Sequence, residues 1–521
     1  MTLREASVWA SEHLKKRVTT SNISYLVQYG RVARFGDDGN SMVSRRELER
    51  YYQSYVGSRE LSWRGKLGDD LDWHLSFDHL REVDTTKHVH RLHPYKGKFI
   101  PQLVEYFLDD HTDEFKKEVY FSNGDIVLDP FCGSGTTLVQ ANELGMHAIG
   151  IDVSKFNALI SNVKVGTYDL MKLSQTVTDI THRLRGFMSE SNIPTFEHWL
   201  GQELAQFNNE YFPSPAYKRR VNNGEIDGDT YGSEKARQFL PIFQKLVKEY
   251  GIKLSAPDAS DFLQKWYFEQ IRREIDFVFE EIQAVRDSSV RKALTVMLSR
   301  TVRSCRATTH SDLGTLKEPV QTAYYCPKHG KICKPLFSIL SWWLRYSADT
   351  IQRLATFKRL RTETHQVCLA GDSRKIDLLG ILARKDKGLW RDVGSKGIAG
   401  IFSSPPYVGM IDYHEQHAYA YQLFGFERKD ELEIGALSQG QNRQSRSRYV
   451  TDIAAVLRNC GKYTCTDSNI FLVANDKYDL YPSIAEAAGL RIINRFKRPV
   501  LNRTERDKGA YSETIFHMKG A

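Results

Sequence analysis

The chain has 521 residues, enough for two or three domains. With 41% hydrophobic and 26% charged residues it describes a globular protein; no run reaches the roughly 20 apolar residues of a membrane span, and the polar start lacks a signal-peptide core. Seven cysteines without paired spacing suit a reducing cytoplasm, the expected location, and a net charge of +9 permits a polyanionic partner without requiring one.

Residues 1–60 read as a separate unit. Ser7 to Leu14 has helical spacing, and Thr20 or Ser21 can cap a second helix running to Tyr29. Gly30 to Gly36 leads into Asp37-Asp-Gly-Asn40, a turn between two short strands, and Glu47 to Tyr55 closes as a helix. Helix, turn, helix and β wing resemble the small winged helix-turn-helix modules of excisionase-like and MerR-like DNA-binding proteins. The resemblance implies that Ser21, Asn22, Ser24 and Tyr25 face the major groove, with Arg31 and Arg34 near phosphates. Read without it, the unit is a helical cap that packs or mediates protein contacts.

Residues 61–160 begin with a polar, aromatic linker (Trp63, Trp73, Phe77). His93-Pro-Tyr-Lys-Gly-Lys98 then forms a loop before an amphipathic helix starting near Pro101. Ile126-Val-Leu128 predicts a short buried strand ending on Asp129. The turn Pro130-Phe-Cys-Gly-Ser-Gly135 follows, and Thr136 opens a helix to Leu144. Gly133 and Gly135 let the backbone pass close to a ligand, so a charged side chain at Gly135 is expected to meet that ligand. His147 to Ile151 is a second strand ending on Asp152, placed to grip ribose hydroxyls.

Residues 161–364 read as a mainly helical insertion, interrupted by a loop-like stretch from Phe212 to Gly232. Phe262 to Arg286 carries apolar residues at helical spacing, an ordinary core stripe. Arg303, Arg306, Thr308, Thr309 and His310 form a polar run that suits a DNA-facing loop or a solvated helix end equally. Cys326, His329 and Cys333 are a local ligand-like cluster, with Cys305 and His310 upstream. Zinc needs four ligands, and the spacing is not that of a standard finger. A structural loop or basic hairpin is therefore the preferred reading, with zinc on Cys305, Cys326, His329 and Cys333 as the alternative.

Residues 365–521 resume the sheet at His365 to Ala370, followed by Gly371-Asp372, and continue through Ala399 to Phe402 into Ser403-Ser-Pro-Pro-Tyr407. Asp412, Tyr413 and His414 follow on a helix that either borders the pocket or lies on the surface, the surface being the preferred reading for His414. Gly435 to Arg448 reads as a loop whose Arg443, Arg446 and Arg448 either touch phosphate as a mobile segment or are simply solvated. Asn469 to Ala474, Arg491 to Arg498 and Glu513 to Met518 predict closing strands, with Tyr481 to Ala488 a helix. Arg503, Arg506 and Lys508 are a further phosphate candidate.

At two of these motifs the chain resembles the amino-methylating DNA methyltransferases. Asp129-Pro130-Phe131-Cys132-Gly133-Ser134-Gly135-Thr136-Thr137 is similar to their S-adenosylmethionine motif. Ser404-Pro405-Pro406-Tyr407 resembles their catalytic motif in the form associated with cytosine-N4 methylation. The likeness covers about residues 93–160 and 365–518. It implies an α/β, Rossmann-like methyltransferase sheet with S-adenosylmethionine as cofactor. Lys98 would cover the methionine end of that cofactor, and Asp372 would meet its adenine. Double-stranded DNA would be the substrate, a cognate restriction endonuclease a further partner, and the insertion a target-recognition region. Insertion between the second and third cofactor strands departs from the family's usual plan.

The chemistry suits an exocyclic base amine, whose lone pair is delocalised into the ring. Ser404 Oγ and the Pro405 carbonyl can accept its two hydrogens, Pro406 stiffens that carbonyl, and Tyr407 can stack on a flipped base. No metal or covalent nucleophile is required. Cytosine-N4 methylation is the reading taken; the alternatives are adenine-N6 methylation and a transfer-RNA guanosine-N2 methyltransferase, whose members usually show Asp-Pro-Pro-Tyr. A DNA-binding regulator with a degenerate fold is the non-enzymatic rival.

Overall fold

Runs of apolar residues too short for helices and bounded by Asp and Gly predict strands buried on both faces. In the computed structural model Ile126 to Asp129 and Ala148 to Asp152 are buried throughout. All residues are described except 15–17, 29–31, 36–41, 54–62, 64, 69, 78–79, 81, 114, 255–260, 311–315, 502–509 and 521; for Ser21, Tyr25, Gln28 and Arg34 the backbone alone is described. Arg31, the Asp37–Asn40 turn, Arg503, Arg506 and Lys508 thus lie outside the described residues.

In chain order the strands are β1 (Arg34–Phe35), β2 (Met42–Val43), β3 (Ile126–Asp129), β4 (His147–Asp152), β5 (Tyr324–Cys326) and β6 (Lys331–Cys333). They continue with β7 (Gln366–Ala370), β8 (Ile398–Ser403), β9 (Thr464–Ala474), β10 (Leu490–Pro499) and β11 (Ser512–Gly520). Seven of them form one sheet in the order β10-β11-β9-β8-β3-β4-β7. The β9-β8-β3-β4-β7 portion is parallel, and β11 inserts antiparallel between β9 and β10. This is the Rossmann-like α/β sheet expected. Ile126, Leu128, Ile149, Ile401 and Leu472 carry its core, with Ile453 and Leu457 of the helix Arg443–Gly461 packed into the same cluster.

The chain divides into two compact units. One comprises residues 67–180, 279–301 and 343–521 and holds the seven-stranded sheet; the other comprises residues 1–66, 181–278 and 302–342. The segments 161–180, 279–301 and 343–364, inside the expected insertion, therefore fold with the sheet.

At the start of the chain, helices Leu3–His13, Thr20–Gln28 and Arg45–Tyr52 surround the β1–β2 ribbon over a small core of Ala6, Ala10, Ile23, Val43 and Leu48. The first helix begins earlier than Ser7 because Thr2 and Glu5 form a capping box. Thr19, rather than Thr20 or Ser21, caps the second: its Oγ1 accepts from Asn22 N at 3.3 Å.

In the same unit, helices Ile193–Tyr211 and Gly228–Glu249 pack with the β5–β6 hairpin around Phe196, Phe239, Phe243 and Phe337. The stretch 212–232, expected as a loop, contains the helix Ala216–Asn222 and the start of the next. Asp227, which reads as a turn residue, accepts from Asp229 N and Thr230 N and so caps that next helix. The expected stripe from Phe262 is split into helices Phe262–Trp266 and Glu269–Gln283.

Candidate active site

The strand order reverses at β3, with β4 and β7 on one side and β8 and β9 on the other. Doubly wound sheets bind ligands in the crevice outside the carboxyl ends of strands at such a point. There the sheet unit holds a cavity of about 870 Å³, counting its open mouth. Its wall comes from four strand ends: Asp129 to Ser134 and Thr136 after β3, Asp152 to Ser154 after β4, Gly371 to Ser373 after β7, and Ser404 and Pro406 after β8. Tyr95, Lys98, Tyr413, His414 and Glu433 close the remaining sides.

The turn after β3 is tied down on every side. Gly133 has φ +50, and a Cβ there would stand 2.9–3.0 Å from the Tyr95 ring. Its N–H donates to Asp152 Oδ2 at 2.9 Å, and its carbonyl accepts from Ser161 Oγ at 3.0 Å. Gly135 has φ +76 but is not on the cavity wall; a Cβ there would meet Ser161 Cβ and Oγ at 2.9 Å. A side chain at Gly135 therefore runs into the helix Lys155–Val165 rather than into the cavity, against expectation. Thr137, also off the wall, is buried and donates to the Phe402 carbonyl at 3.3 Å.

Two buried carboxyls dominate the electrostatics. Burial pushes Asp129 up to about 6, opposed by hydrogen bonds from Ser403 and Phe131 N and by the neighbouring Thr137 hydroxyl. Burial likewise pushes Asp152 up to about 6, opposed by Ser154 N, Asn157 and Gly133 N. Asp152 Oδ1 accepts from Ser154 N at 2.8 Å and Asn157 Nδ2 at 3.1 Å, so one lone-pair position remains mainly on Oδ2. Ser134 Oγ and Asn157 Oδ1 are buried polar atoms on the wall without a protein partner.

Lys98 Nζ donates to the His90 carbonyl at 2.7 Å, and burial draws its ammonium down to about 8. Asp372 is held by Arg374, whose Nε and Nη2 donate to its two oxygens at 2.9 and 3.1 Å; Arg374 Nη1 reaches Asp452 at 3.0 Å. Ser373 Oγ donates to the Pro130 carbonyl at 2.6 Å, joining the turns after β7 and β3.

After β8, Ser404 and Pro406 face the cavity, whereas Pro405 is buried and Tyr407 points elsewhere. The Tyr407 hydroxyl donates to Glu513 Oε1 at 2.7 Å and its ring packs against the sheet core.

His414, expected on the surface, is 1% exposed. Its N–H donates to Glu433 Oε1 at 2.7 Å and its Nδ1 contacts the same oxygen. Tyr95, Asn157 and Glu433 were missed by motif reading. Tyr95 and Tyr413 stack at 5.9 Å between ring centroids, a pairing over more than 300 positions that leaves no local signal.

Asn22 is exposed, but its Oδ1 already accepts from Thr19 N and Oγ1 at 2.8 Å. Ser24 is half-buried on the same helix, which also carries Ser21 and Tyr25; Arg34 lies on β1. Arg443, Arg446 and Arg448 are not on a loop. Asn442 accepts from Ser445 N and caps the helix Arg443–Gly461, so all three occupy its first two turns. Arg446 lies over the Tyr478 ring at 4.6 Å, and Arg448 pairs loosely with Asp452 at 3.6 Å. Cys305 is buried apart from the other three zinc candidates, Cys326, His329 and Cys333; His310 joins them instead.

Comparisons with known proteins agree with this geometry. The N6_N4_Mtase family, described as DNA methylase, matches residues 13–162. Type II methyltransferase M.MjaII of Methanocaldococcus jannaschii is 43% identical, over 99% of this chain and 96% of its own length. Type II methyltransferase M.MvaI of Kocuria varians is 26% identical over 29% of this chain and 34% of its own. No helix among the described residues is long and apolar enough to cross a membrane. With one relative matched end to end at that identity, and the cavity at the expected strand ends, the chain belongs to the amino-methylating type II DNA methyltransferases, which take their methyl group from S-adenosylmethionine.

Proposed function

We propose that this chain methylates the N4 amine of cytosine at a specific site in duplex DNA. The observation that carries the reading is Ser404: at the end of β8, where the adenine enzymes more often have Asp or Asn, a neutral hydroxyl faces the cavity that Asp129 and Asp152 also line.

The residues present suit S-adenosylmethionine. The unpartnered Ser134 Oγ and Asn157 Oδ1 offer polar contacts that a ligand would satisfy. Lys98, on the cavity wall, suits a carboxylate. Asp129 suits an ammonium, because a nearby cation restores the ionised form that burial disfavours. Asp152 keeps one acceptor position for a ribose hydroxyl, and Asp372 has its remaining lone pairs for an adenine amine. Pro130, Phe131, Gly133 and Thr136 shape the wall between them, and Gly135 and Thr137 hold that turn in place.

When bound, the cofactor supplies a methyl group activated on a sulfonium. The chain's own part is to orient the amine. Ser404 Oγ accepts one amine hydrogen and the Pro405 carbonyl the other, so the nitrogen lone pair turns out of the ring plane. The rigid Pro405-Pro406 pair holds these acceptors without reorganisation. Tyr407, with its hydroxyl on Glu513 and its ring against the sheet core, braces this turn rather than stacking on the base, whose extrusion costs a few kcal/mol.

Residues 1–60, the insertion 161–364 and the basic helix start at Arg443 are assigned to DNA contact. A nuclease recognising the same sequence is the expected counterpart, since the relative matched end to end is a type II methyltransferase. Unmodified duplex incubated with the chain and S-adenosylmethionine, then digested to nucleosides and resolved by mass spectrometry, should yield 4-methylcytosine. A product of 6-methyladenine alone would overturn the cytosine assignment.

A further inference from the structure

We infer that His310, Cys326, His329 and Cys333 form a structural zinc site. One ligand atom from each lies within 4.8 Å of all the others. Both cysteines are buried and both histidines half-buried. His329 Nδ1 stands 3.3 Å from Cys333 Sγ, and the Cys326 side chain hydrogen-bonds those of Cys333 and His310. A tetrahedron with Zn–S of about 2.3 Å and Zn–N of about 2.0–2.1 Å has edges of roughly 3.3–3.8 Å. The four atoms therefore need to close by at most about 1.5 Å to surround the ion.

The chemistry selects the metal. Two thiolates and two neutral imidazoles neutralise a divalent charge with soft and borderline donors and no carboxylate, a set that favours zinc over magnesium or calcium. Binding releases two thiol protons. Tyr324 OH lies 2.9 Å from His310 Nδ1, which leaves Nε2 as that residue's ligand atom and fixes the ring as an outer-shell partner does.

The fold around the cluster is one a metal would hold. β5 and β6 have three residues each, and a two-stranded hairpin of that size is marginal alone. Its turn is a tight knuckle: His329 N and Gly330 N both donate to the Cys326 carbonyl, at 3.1 and 2.7 Å, with Gly330 at φ +62. On its outer side Ile332 exchanges two hydrogen bonds with Asn208, at 2.9 and 3.0 Å, and Tyr325 packs on Gly232. Zinc would therefore join His310, the hairpin and the helices Ile193–Tyr211 and Gly228–Glu249 into one body.

The test uses the full chain, purified without chelator from zinc-supplemented medium and passed over a metal-scavenging resin. Elemental mass spectrometry should find about one zinc per chain. Cys326→Ser and Cys333→Ser should each lose most of it, whereas Cys305→Ser should keep it. Because the first two can misfold, wild-type protein exchanged into cobalt gives a second reading: intense visible bands and thiolate charge transfer of a tetrahedral two-sulfur centre. Zinc well below stoichiometric, cobalt spectra without thiolate bands, or a Cys326–Cys333 disulfide in peptide maps would each overturn the site.

Discussion

Ser403 Oγ donates to Asp129 Oδ1 at 2.5 Å, across two neighbouring parallel strands and 274 positions of sequence. This bond ties the turn assigned to the cofactor to the residue just before the one assigned to the base. Removing it with Ser403→Ala takes a donor from a buried carboxyl already raised by burial, pushing Asp129 further up. Hydrogen bonds to charged groups are worth about 1.5–3 kcal/mol. Affinity for S-adenosylmethionine at pH 7 should therefore fall by about tenfold to a hundredfold and recover in part at higher pH. Calorimetry giving wild-type affinity across that range would contradict the coupling.

The pH profile of cofactor binding follows from three groups. Asp129 and Asp152 sit near 6, raised from 3.8 by burial, and Lys98 near 8, lowered from 10.5 by burial. A raised carboxyl favours the neutral form, so its contribution to stability is full below about pH 4 and is lost as pH rises through 6. For each group that loss is about 3 kcal/mol in the empty protein. The ammonium at Asp129 and the hydroxyl donor at Asp152 both favour the ionised carboxylates, so affinity should rise as pH passes 6, and fall above about 8 as Lys98 discharges. Titration calorimetry from pH 5 to 9 should give a bell; a flat profile would refute these assignments.

Gly135 is a stability position more than a contact. At φ +76, with a prospective Cβ 2.9 Å from Ser161, Gly135→Ala should cost about 2–3 kcal/mol from strain and overpacking. Adding Ser161→Gly should return part of this in urea denaturation. No destabilisation in the single variant would show that the turn gives way easily.

Replacing Arg443, Arg446 and Arg448 together with Ala should leave helix content unchanged, because Asn442 still caps the helix. DNA affinity should drop, and the salt dependence should flatten by up to about 2–3 in slope if all three meet phosphate. An unchanged slope would leave these arginines as solvated helix residues.

Much of the sheet and its site is legible from local pattern. Ile126 to Leu128 and Ala399 to Phe402 are apolar runs bounded by Asp129 and Ser403, and each became a parallel strand with its motif at the carboxyl end. Where a signal had two meanings, the tertiary setting chose. Asp227 reads as a turn residue but caps a helix. The Arg443 helix hides because its first turns are polar all round and its buried residues begin only at Tyr449. Contacts without a spacing rule were illegible: His414 finds Glu433 at 19 positions, and His310, not Cys305, reaches the cysteine hairpin.

The most direct test of the account is the base that carries the methyl group in living cells. Genomic DNA from cells lacking other methylases and expressing the chain should contain 4-methylcytosine within one short recurrent sequence, and Ser404→Ala should reduce it sharply while cofactor affinity stays within about twofold of wild type. Modified adenine at the recurrent sequence, with cytosine untouched, would contradict the assignment of Ser404 to the cytosine amine.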